Sequence, residues 1–243
     1  MHLSVIIPAY NEEKRIEKTL LSVNEHLSKQ AYDYEIMVVN DGSKDKTAEI
    51  VNGLAGEIKG LKLIDNKENH GKGWVVRQGM LSAQGDYRLF TDADNSTTID
   101  HVERFFPFFG QGLPAQADYD IVIGSRRLKD SVIAVKQPWV RDLLGGIFRL
   151  IVHALVPLGI ADSQAGFKMF SKKATETIFP KQTIFRWAFD VEILAIAKKS
   201  GFKIKEVPIK WINDAESHVK LSGMVRMLFE VLRVRWNLWT NKY

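Results

Sequence analysis

The feature that most constrains the fold is the alternation of short apolar runs with helical patterns over residues 1–125. The apolar runs are rich in β-branched residues, and the segments between them repeat apolar residues at helical spacing. The predicted strands are Leu3–Ile7, Glu35–Val39, Leu61–Ile64, Tyr87–Thr91 and Ile121–Ile123, and the predicted helices are Glu12–His26, Lys46–Gly56 and Lys72–Ala83. This alternation implies right-handed crossovers and an open, mainly parallel α/β sheet flanked by helices. Ligands bind such sheets at the carboxyl ends of the strands.

Composition narrows the class of protein and of partner. Apolar residues make up 45% and charged residues 26% of the chain, which indicates a globular protein with a buried core. There is no cysteine, so a metal ion must be held by oxygen or imidazole ligands. Lys and Arg exceed Asp and Glu by 34 to 29, and the net charge of +5 suits a partner that carries phosphate groups. The apolar run near the N-terminus is too short for a signal sequence or a membrane span, so we expect a cytosolic protein.

Two apolar segments in the second half differ from the strand–helix pattern. The segment Val135–Ala161 is apolar but interrupted by charged residues and proline, which predicts a helix lying in a membrane interface rather than spanning it. The segment Met224–Trp239 is amphipathic. Its apolar face holds Val225, Leu228, Leu232 and Trp236, and its polar face holds Arg226, Glu230 and Arg233. The alternative for both segments is an ordinary amphipathic helix packed on the sheet.

The sharpest local motif is Thr91-Asp92-Ala93-Asp94-Asn95, directly after a predicted strand. Two carboxylates that flank a small residue supply the hard oxygen ligands that Mg²⁺ or Mn²⁺ prefers. An ion held there would neutralise a departing diphosphate. The alternative is an acidic turn that only caps the helix near Ile99, because turns favour Asp for local reasons.

Three other strand ends carry polar residues. Pro8-Ala9-Tyr10-Asn11-Glu12 follows the first strand, and the absence of a Gly-x-Gly-x-x-Gly loop there argues against a dinucleotide-binding protein. Asn40-Asp41-Gly42-Ser43 follows the second, where Asp41 can accept hydrogen bonds from a base or ribose; a turn with Ser43 as helix N-cap is the alternative. Asn69-His70-Gly71-Lys72-Gly73 precedes the third helix and places a lysine where phosphate binds.

Together these motifs resemble family 2 glycosyltransferases of the GT-A fold. The resemblance extends through the second half of the chain and is strongest to the branch of the dolichyl-phosphate glucosyltransferases, with dolichyl-phosphate mannosyltransferases as nearest relatives. The motifs that carry it there are Gly124-Ser125-Arg126, Asp162-Ser163-Gln164-Ala165-Gly166-Phe167-Lys168 and Arg186-Trp187-Ala188-Phe189-Asp190-Val191-Glu192. The resemblance implies a GT-A (Rossmann-like) mixed, mainly parallel sheet flanked by helices, with amphipathic interface helices.

The resemblance also implies roles for individual residues. The residues implied to bind the nucleotide sugar are Pro8, Ala9, Tyr10, Glu12, Asn40, Asp41, Lys72, Asp92, Ala93, Asp94 and Lys220. The residues implied in catalysis are Asp94, Asp190, Arg126 and Arg141, and the implied ligands of Mg²⁺ or Mn²⁺ are Asp92 and Asp94. Arg126, or its neighbour Arg127, would meet phosphate near the reaction centre, and Arg141 would position a lipid phosphate.

The reaction implied is inverting transfer of a hexose, glucose from UDP-glucose, onto a polyprenyl or dolichyl phosphate. Because this acceptor is already anionic near neutral pH, it needs alignment and charge stabilisation more than a strong base. One alternative is a family 2 enzyme that acts on a sugar or glycolipid hydroxyl, with Asp190 as base. Others are GDP-mannose as donor and a nucleotide-sugar-binding module without catalysis.

The expected organisation is a single domain over residues 1–243. Residues 1–125 would form the nucleotide-sugar-binding half, and residues 126–243 the acceptor-binding and membrane-facing half. We expect peripheral association with the cytosolic face of a membrane. No nucleic-acid partner is expected, since the basic residues are scattered and no nucleic-acid-binding module is recognised.

Overall fold

The computed structural model describes residues 2–110, 118–135, 139–212 and 221–243. The strands found there are β1 (His2–Ala9), β2 (Asp33–Asp41), β3 (Leu61–Asn66), β4 (Tyr87–Thr91), β5 (Ile121–Ser125), β6 (Val132–Val135), β7 (Phe167–Ser171), β8 (Ile204–Pro208) and β9 (Lys210–Ile212). The α-helices found there are α1 (Ile16–Leu27), α2 (Thr47–Leu54), α3 (Lys72–Ser82), α4 (Trp139–Leu155), α5 (Lys172–Ile178), α6 (Phe189–Lys199) and α7 (Leu221–Trp239). The 3₁₀ helices found there are Ile99–Arg104, Phe106–Phe109 and Phe179–Lys181.

The main sheet has seven strands in the order β3-β2-β1-β4-β7-β5-β8, and β6 pairs with β9 in a separate ribbon. All neighbouring strands of the main sheet are parallel except β7, which is antiparallel to both β4 and β5. Because β7 is reversed, its first residue Phe167 pairs with Thr91, the last residue of β4. The loops that follow β1, β2, β4 and β5 and the loop that precedes β7 therefore lie together. They lie at the edge of the sheet where its parallel strands have their carboxyl ends, called here the sheet edge.

Helices cover both faces of the sheet, and apolar side chains fill both interfaces. On one face α3, α4, α5, α6 and α7 pack in a single cluster, and on the other face α1, α2 and two 3₁₀ helices pack in a second cluster. The packing of α3 is close because Gly79 faces the sheet, where an added Cβ would lie 2.5 Å from Cγ2 of Ile6. This mixed, mainly parallel sheet flanked by helices confirms the predicted fold class.

The strands predicted in the first half are confirmed, but the start predicted for the first helix is wrong. The helix begins at Ile16 rather than Glu12. The preceding loop is instead bonded to the loop between β2 and α2: Asn11 N donates to Ser43 Oγ at 2.9 Å, and Glu12 N donates to Thr47 Oγ1 at 2.8 Å. These tertiary hydrogen bonds hold the backbone out of the helix. One of these bonds uses the Ser43 hydroxyl, and α2 begins only at Thr47. The alternative that Ser43 is the N-cap of this helix is therefore wrong.

The two predicted amphipathic segments form α4 and α7, which pack against each other. The face of α7 that enters the core holds Met227, Val231 and Val234. Leu232 and Trp236, on the predicted apolar face, are 43% and 59% exposed. Leu228, on the same predicted face, packs against the core cluster, so α7 packs on the fold while part of its predicted apolar face stays exposed. Among the described residues, no helix combines the length and the apolar character that crossing a bilayer requires.

Candidate active site

The acidic motif lies where β4 ends, at the centre of the sheet edge. Asp92 Oδ1 accepts a hydrogen bond from Lys72 Nζ at 2.5 Å, and Lys72 is the first residue of α3. Gly166, just before β7, lies against the same carboxylate, where an added Cβ would overlap Asp92. Asp94 Oδ1 accepts from Ser96 N at 2.9 Å. The loop before β7 therefore leaves space for Asp92 only because its residue there is glycine.

Three carboxylates influence one another at this edge. Burial raises the pKa of Glu12 to about 7, against the opposing effect of Arg15, and the charges of Asp94 and Asp92 add to the rise. Burial and the charge of Asp92 also raise the pKa of Asp94. The charge of Lys72 offsets part of this negative field. Burial lowers the pKa of Lys72, but the attraction of Asp92 outweighs burial and holds that pKa above its ordinary value. The raised pKa values of Glu12 and Asp94 indicate a negative field that favours a bound cation.

The donor set fits a divalent ion that is shared with a phosphorylated ligand. No group of three or more His, Cys, Asp or Glu side chains able to enclose a metal occurs among the residues that the structure describes. Mg²⁺ is commonly bound by one or two carboxylates, with the remaining ligands supplied by water and substrate phosphates. Asp92 and Asp94 are two such carboxylates, and their role as metal ligands stays a prediction.

Asp190, which would be the base for a hydroxyl acceptor, lies at the start of α6 and is almost completely buried. Its carboxylate accepts a hydrogen bond from Lys168 Nζ, which also donates to the carbonyl of Ala165. Lys168 is completely buried in β7, with its ammonium group 5.2 Å from the ring centroid of Phe90. Burial raises the pKa of Asp190 and lowers that of Lys168, and the attraction between the two charges offsets part of that cost.

Arg126 follows β5 and is held in a fixed orientation. Its Nε and Nη2 atoms each donate to Asp162 at 2.8 Å, and its backbone N donates to the same carboxylate at 2.9 Å. The guanidinium also lies over the Trp211 ring, 5.4 Å from its centroid. Burial alone would lower the pKa of Arg126, but pairing with Asp162 outweighs it and raises that pKa. Within the described residues Nη1 has no hydrogen-bond partner, so one edge of the guanidinium is available to an anion.

The residues predicted to cradle the nucleotide occupy the ends of β1 and β2. Pro8 and Ala9 are buried, whereas the Tyr10 ring is 42% exposed. Asn40 donates to Asp65 Oδ1 at 2.7 Å and accepts from Ser43.

Asp41 is bound to the loop that leads into α3. It accepts from the backbone amides of His70 at 2.7 Å and Gly71 at 3.0 Å, and from Asn69 Nδ2 at 2.9 Å. Asn40 and Asp41 thus shape the loops, and any contact of theirs with a nucleotide stays a prediction.

Ala93, between the two aspartates, is buried, and its carbonyl accepts from Thr19 Oγ1 at 2.6 Å. Arg127 has an exposed side chain. Arg141 lies in α4, but its side chain is outside the described part of the structure, and Lys220 lies outside the described residues altogether. The roles predicted for both therefore stay predictions.

No role is predicted from the sequence for Lys168, Asp162 or Trp211. For Lys168 the sequence carries a signal, because a lysine inside the apolar run Phe167–Phe170 is rarely buried without a charged partner. Nothing local indicates that Asp162 pairs with Arg126, since 36 residues separate them.

Comparison with known proteins independently supports the predicted family and fold. The family model described as Glycosyl transferase family 2 matches residues 4–179. A dolichyl-phosphate beta-glucosyltransferase of Trichomonas vaginalis is 38% identical over 256 residues, covering 99% of this chain and 76% of the relative. One of Dictyostelium discoideum is 36% identical, covering 97% and 74%. A solved structure, glucosyl-3-phosphoglycerate synthase from Mycobacterium tuberculosis in complex with UDP, has a TM-score of 0.67 at 19% identity and covers 97% of this chain and 79% of that one.

The sheet, its reversed strand β7 and the acidic tip of β4 define a glycosyltransferase of the GT-A fold, the fold of these structural neighbours. Because the family model matches well over half of the chain, the chain belongs to glycosyltransferase family 2. The family, fold and enzyme class predicted from the sequence are confirmed.

Proposed function

We propose that this protein transfers glucose from UDP-glucose to a polyprenyl phosphate of the dolichyl type, with inversion at the anomeric carbon. The observation that carries the proposal is the similarity to dolichyl-phosphate beta-glucosyltransferases, which covers 99% of the chain in the case of the Trichomonas vaginalis relative. The similarity thus includes the half that would bind the acceptor. The acidic and basic groups at the sheet edge would supply the charge stabilisation that such a reaction needs.

Residues 1–125 would bind the donor. Tyr10 would offer its exposed ring to the base, and the turn held by Asn40 and Asp41 would shape the floor beneath the nucleotide. Lys72 would contact the diphosphate from the N-terminus of α3, where the helix dipole also favours negative charge. Lys220 would close over the donor phosphates from the other half of the chain.

Asp92 and Asp94 would hold Mg²⁺ or Mn²⁺. A bound ion would supply Lewis-acid neutralisation of the leaving diphosphate. A glucosyl-3-phosphoglycerate synthase of the same fold has been crystallised with Mn²⁺ and UDP-glucose, which supports a divalent ion here. Glu12 would add to the negative field that attracts the ion.

Residues 126–243 would bind the acceptor. Arg126 would present its open edge to phosphate, because the pair with Asp162 fixes its orientation. Arg141 would position the lipid phosphate from α4. Asp190 would orient the acceptor side of the site together with Lys168.

The main alternative is a hydroxyl acceptor, for which Asp190 would have to remove a proton. Burial raises the pKa of Asp190, which suits a base, whereas the hydrogen bond from buried Lys168 occupies the carboxylate and lowers that pKa in part. GDP-mannose is the alternative donor. A phosphate acceptor embedded in a bilayer requires the protein to work at a membrane surface, so the proposal includes peripheral association with a membrane, and its cytosolic face stays a prediction.

The proposal is tested by incubating the protein with radiolabelled sugar nucleotides and a short polyprenyl phosphate, and by counting label in the organic phase. UDP-glucose should be the preferred donor, and a chelator should stop transfer. Asp94→Asn should reduce turnover by at least about a hundredfold, because charge stabilisation at the leaving group is lost. Asp100→Asn, at an exposed acid beyond the motif, should have no effect. Full activity of Asp94→Asn would contradict the metal assignment, and label on a sugar hydroxyl would contradict the acceptor.

A further inference from the structure

The segment 161–166 leads into β7 and is called here the β7 approach. Near its start Asp162 accepts two hydrogen bonds from the guanidinium of Arg126, each at 2.8 Å. At its end Gly166 lies against the carboxylate of Asp92. The proposed function gives Arg126 a role on the acceptor side of the site and Asp92 a role on the donor side. Whatever fixes the β7 approach therefore fixes the orientation of Arg126 relative to the acidic motif.

The β7 approach is buried or half-buried throughout, although it lies outside the helices and strands. Asp162, Ser163 and Ala165 are its buried residues. Backbone amides that are withdrawn from water need hydrogen-bond partners. A segment without a sheet ladder must take these partners from turns or from side chains, so a side chain that binds its amides controls where it lies.

Glu206 of β8 is such a side chain. Its Oε2 accepts from Ala161 N at 2.8 Å, and its Oε1 accepts from Asp162 N at 3.0 Å, so the two carboxylate oxygens bind two successive amides. Hydrogen bonds to an ionised acceptor are about twice as strong as neutral ones. In the parallel pair of β8 with β5, Glu206 lies opposite Ile123, three residues before Arg126. Neighbouring strands thus carry Arg126 and the carboxylate that holds the partner of Arg126.

We propose that Glu206 is a positioning residue for the acceptor phosphate and acts on Arg126 through Asp162. The Glu206 carboxylate holds the backbone of Asp162, the Asp162 side chain holds the guanidinium, and the open edge of the guanidinium meets the phosphate. Glu206 itself needs no contact with the substrate. The role in transfer rests on the proposed phosphate acceptor, whereas the chain of hydrogen bonds from Glu206 to Arg126 does not.

The first test is the kinetics of Glu206→Gln. This change keeps the length of the side chain but replaces one acceptor oxygen by an NH₂ group, so one amide of the β7 approach loses its partner. The KM for a short polyprenyl phosphate should rise at least about fivefold, the factor that corresponds to one unpaired buried N–H. The KM for UDP-glucose should change by less. Glu49→Gln, at an exposed glutamate of α2, is the matched control and should change neither KM.

A double-mutant cycle separates positioning from a general loss of stability. Asp162→Asn weakens the hold on Arg126, so adding Glu206→Gln to it should raise the KM for the acceptor little further. If the two effects add in full, Glu206 acts independently of Asp162 and the proposal is overturned. Glu206→Asp keeps the charge but shortens the side chain by one methylene group, and it serves in the same cycle if Glu206→Gln does not fold.

Exchange of the Arg126 Nε–H with solvent gives a readout that needs no catalysis. The bond to Asp162 Oδ2 protects this proton, whose signal in heteronuclear NMR is assigned with Arg126→Lys. Glu206→Gln should speed its exchange at least about fivefold. An unchanged exchange rate, or an unchanged KM for the acceptor, in the folded variant overturns the proposal. A wild type that transfers no glucose to polyprenyl phosphate overturns the proposed function instead, and the exchange rate still decides whether Glu206 orients Arg126.

Discussion

The buried pair of Lys168 and Asp190 gives the most demanding test of the site. Their side chains are 0% and 8% exposed, so Lys168→Met leaves a carboxylate buried without its cation. Breaking a buried ion pair in this way costs about 3–5 kcal/mol of unfolding free energy. For a chain of this size that corresponds to a melting temperature lower by about 6–20 °C.

The cost should depend on pH. Burial already raises the pKa of Asp190, and loss of Lys168 raises it further. A carboxyl group with a raised pKa in the folded state contributes stability at low pH that is lost as pH rises through the folded value. Lys168→Met should therefore be more destabilising at pH values above neutral than in mild acid.

The assay is urea unfolding followed by tryptophan fluorescence, since the chain has six tryptophans. Lys168→Met/Asp190→Asn removes both charges and should recover most of the stability that Lys168→Met loses, whereas Lys173→Met, at an exposed lysine of α5, should be neutral. A loss below about 1 kcal/mol in Lys168→Met, or a double variant no more stable than the single one, would refute the account of a coupled buried pair.

The same double variant decides the role of Asp190 in transfer. Asp190→Asn alone also strands the buried Lys168, so its activity reports two changes at once. In Lys168→Met/Asp190→Asn the cation is gone, and an enzyme with a phosphate acceptor should stay within about tenfold of the wild type, whereas loss of a general base costs about 10²–10⁴-fold. A loss in that larger range, with the fold intact, would favour a hydroxyl acceptor.

Two further substitutions test the acidic edge. Gly166→Ala should push Asp92 aside, which should lower the free energy of unfolding by about 1–3 kcal/mol and weaken binding of UDP-glucose with Mn²⁺ in calorimetry. The control is Gly53→Ala in α2, where an added Cβ meets nothing within 4 Å, and it should be neutral or stabilising. Unchanged donor affinity in Gly166→Ala would show that Asp92 needs no such space. The pKa of Glu12 is raised to about 7, so the folded state becomes less stable as pH rises from about 4.5 to about 7 and Glu12 ionises. Glu12→Gln should therefore have a free energy of unfolding higher than that of the wild type by at most about 2 kcal/mol at pH above 7, and no higher in mild acid. Thermal melts in chelator at both pH values measure this, with Glu13→Gln as control, and an equal effect at both would contradict the raised pKa.

The alternation of apolar runs and helical patterns was enough to predict the strands of the first half and the position of the acidic motif at a strand tip. The start of α1 was predicted wrongly because Glu12 satisfies its backbone through Thr47, a partner 35 residues away. Local propensity carries no information about such a bond. The role of Lys168 was missed for the same reason, although a lysine inside an apolar strand was visible.

What the sequence determined by itself is the order of strands and helices in residues 1–125, the family, and which residues share a face of the amphipathic helices. Only the tertiary structure decided which partner each charge receives: Arg126 is held by Asp162, Asp190 by Lys168, and Asp92 by Lys72. It also decided that Met227 enters the core while Trp236 faces outward. The physical reason is that periodicity along a chain fixes the relative directions of side chains, whereas burial and ion pairing depend on what the rest of the fold brings against them.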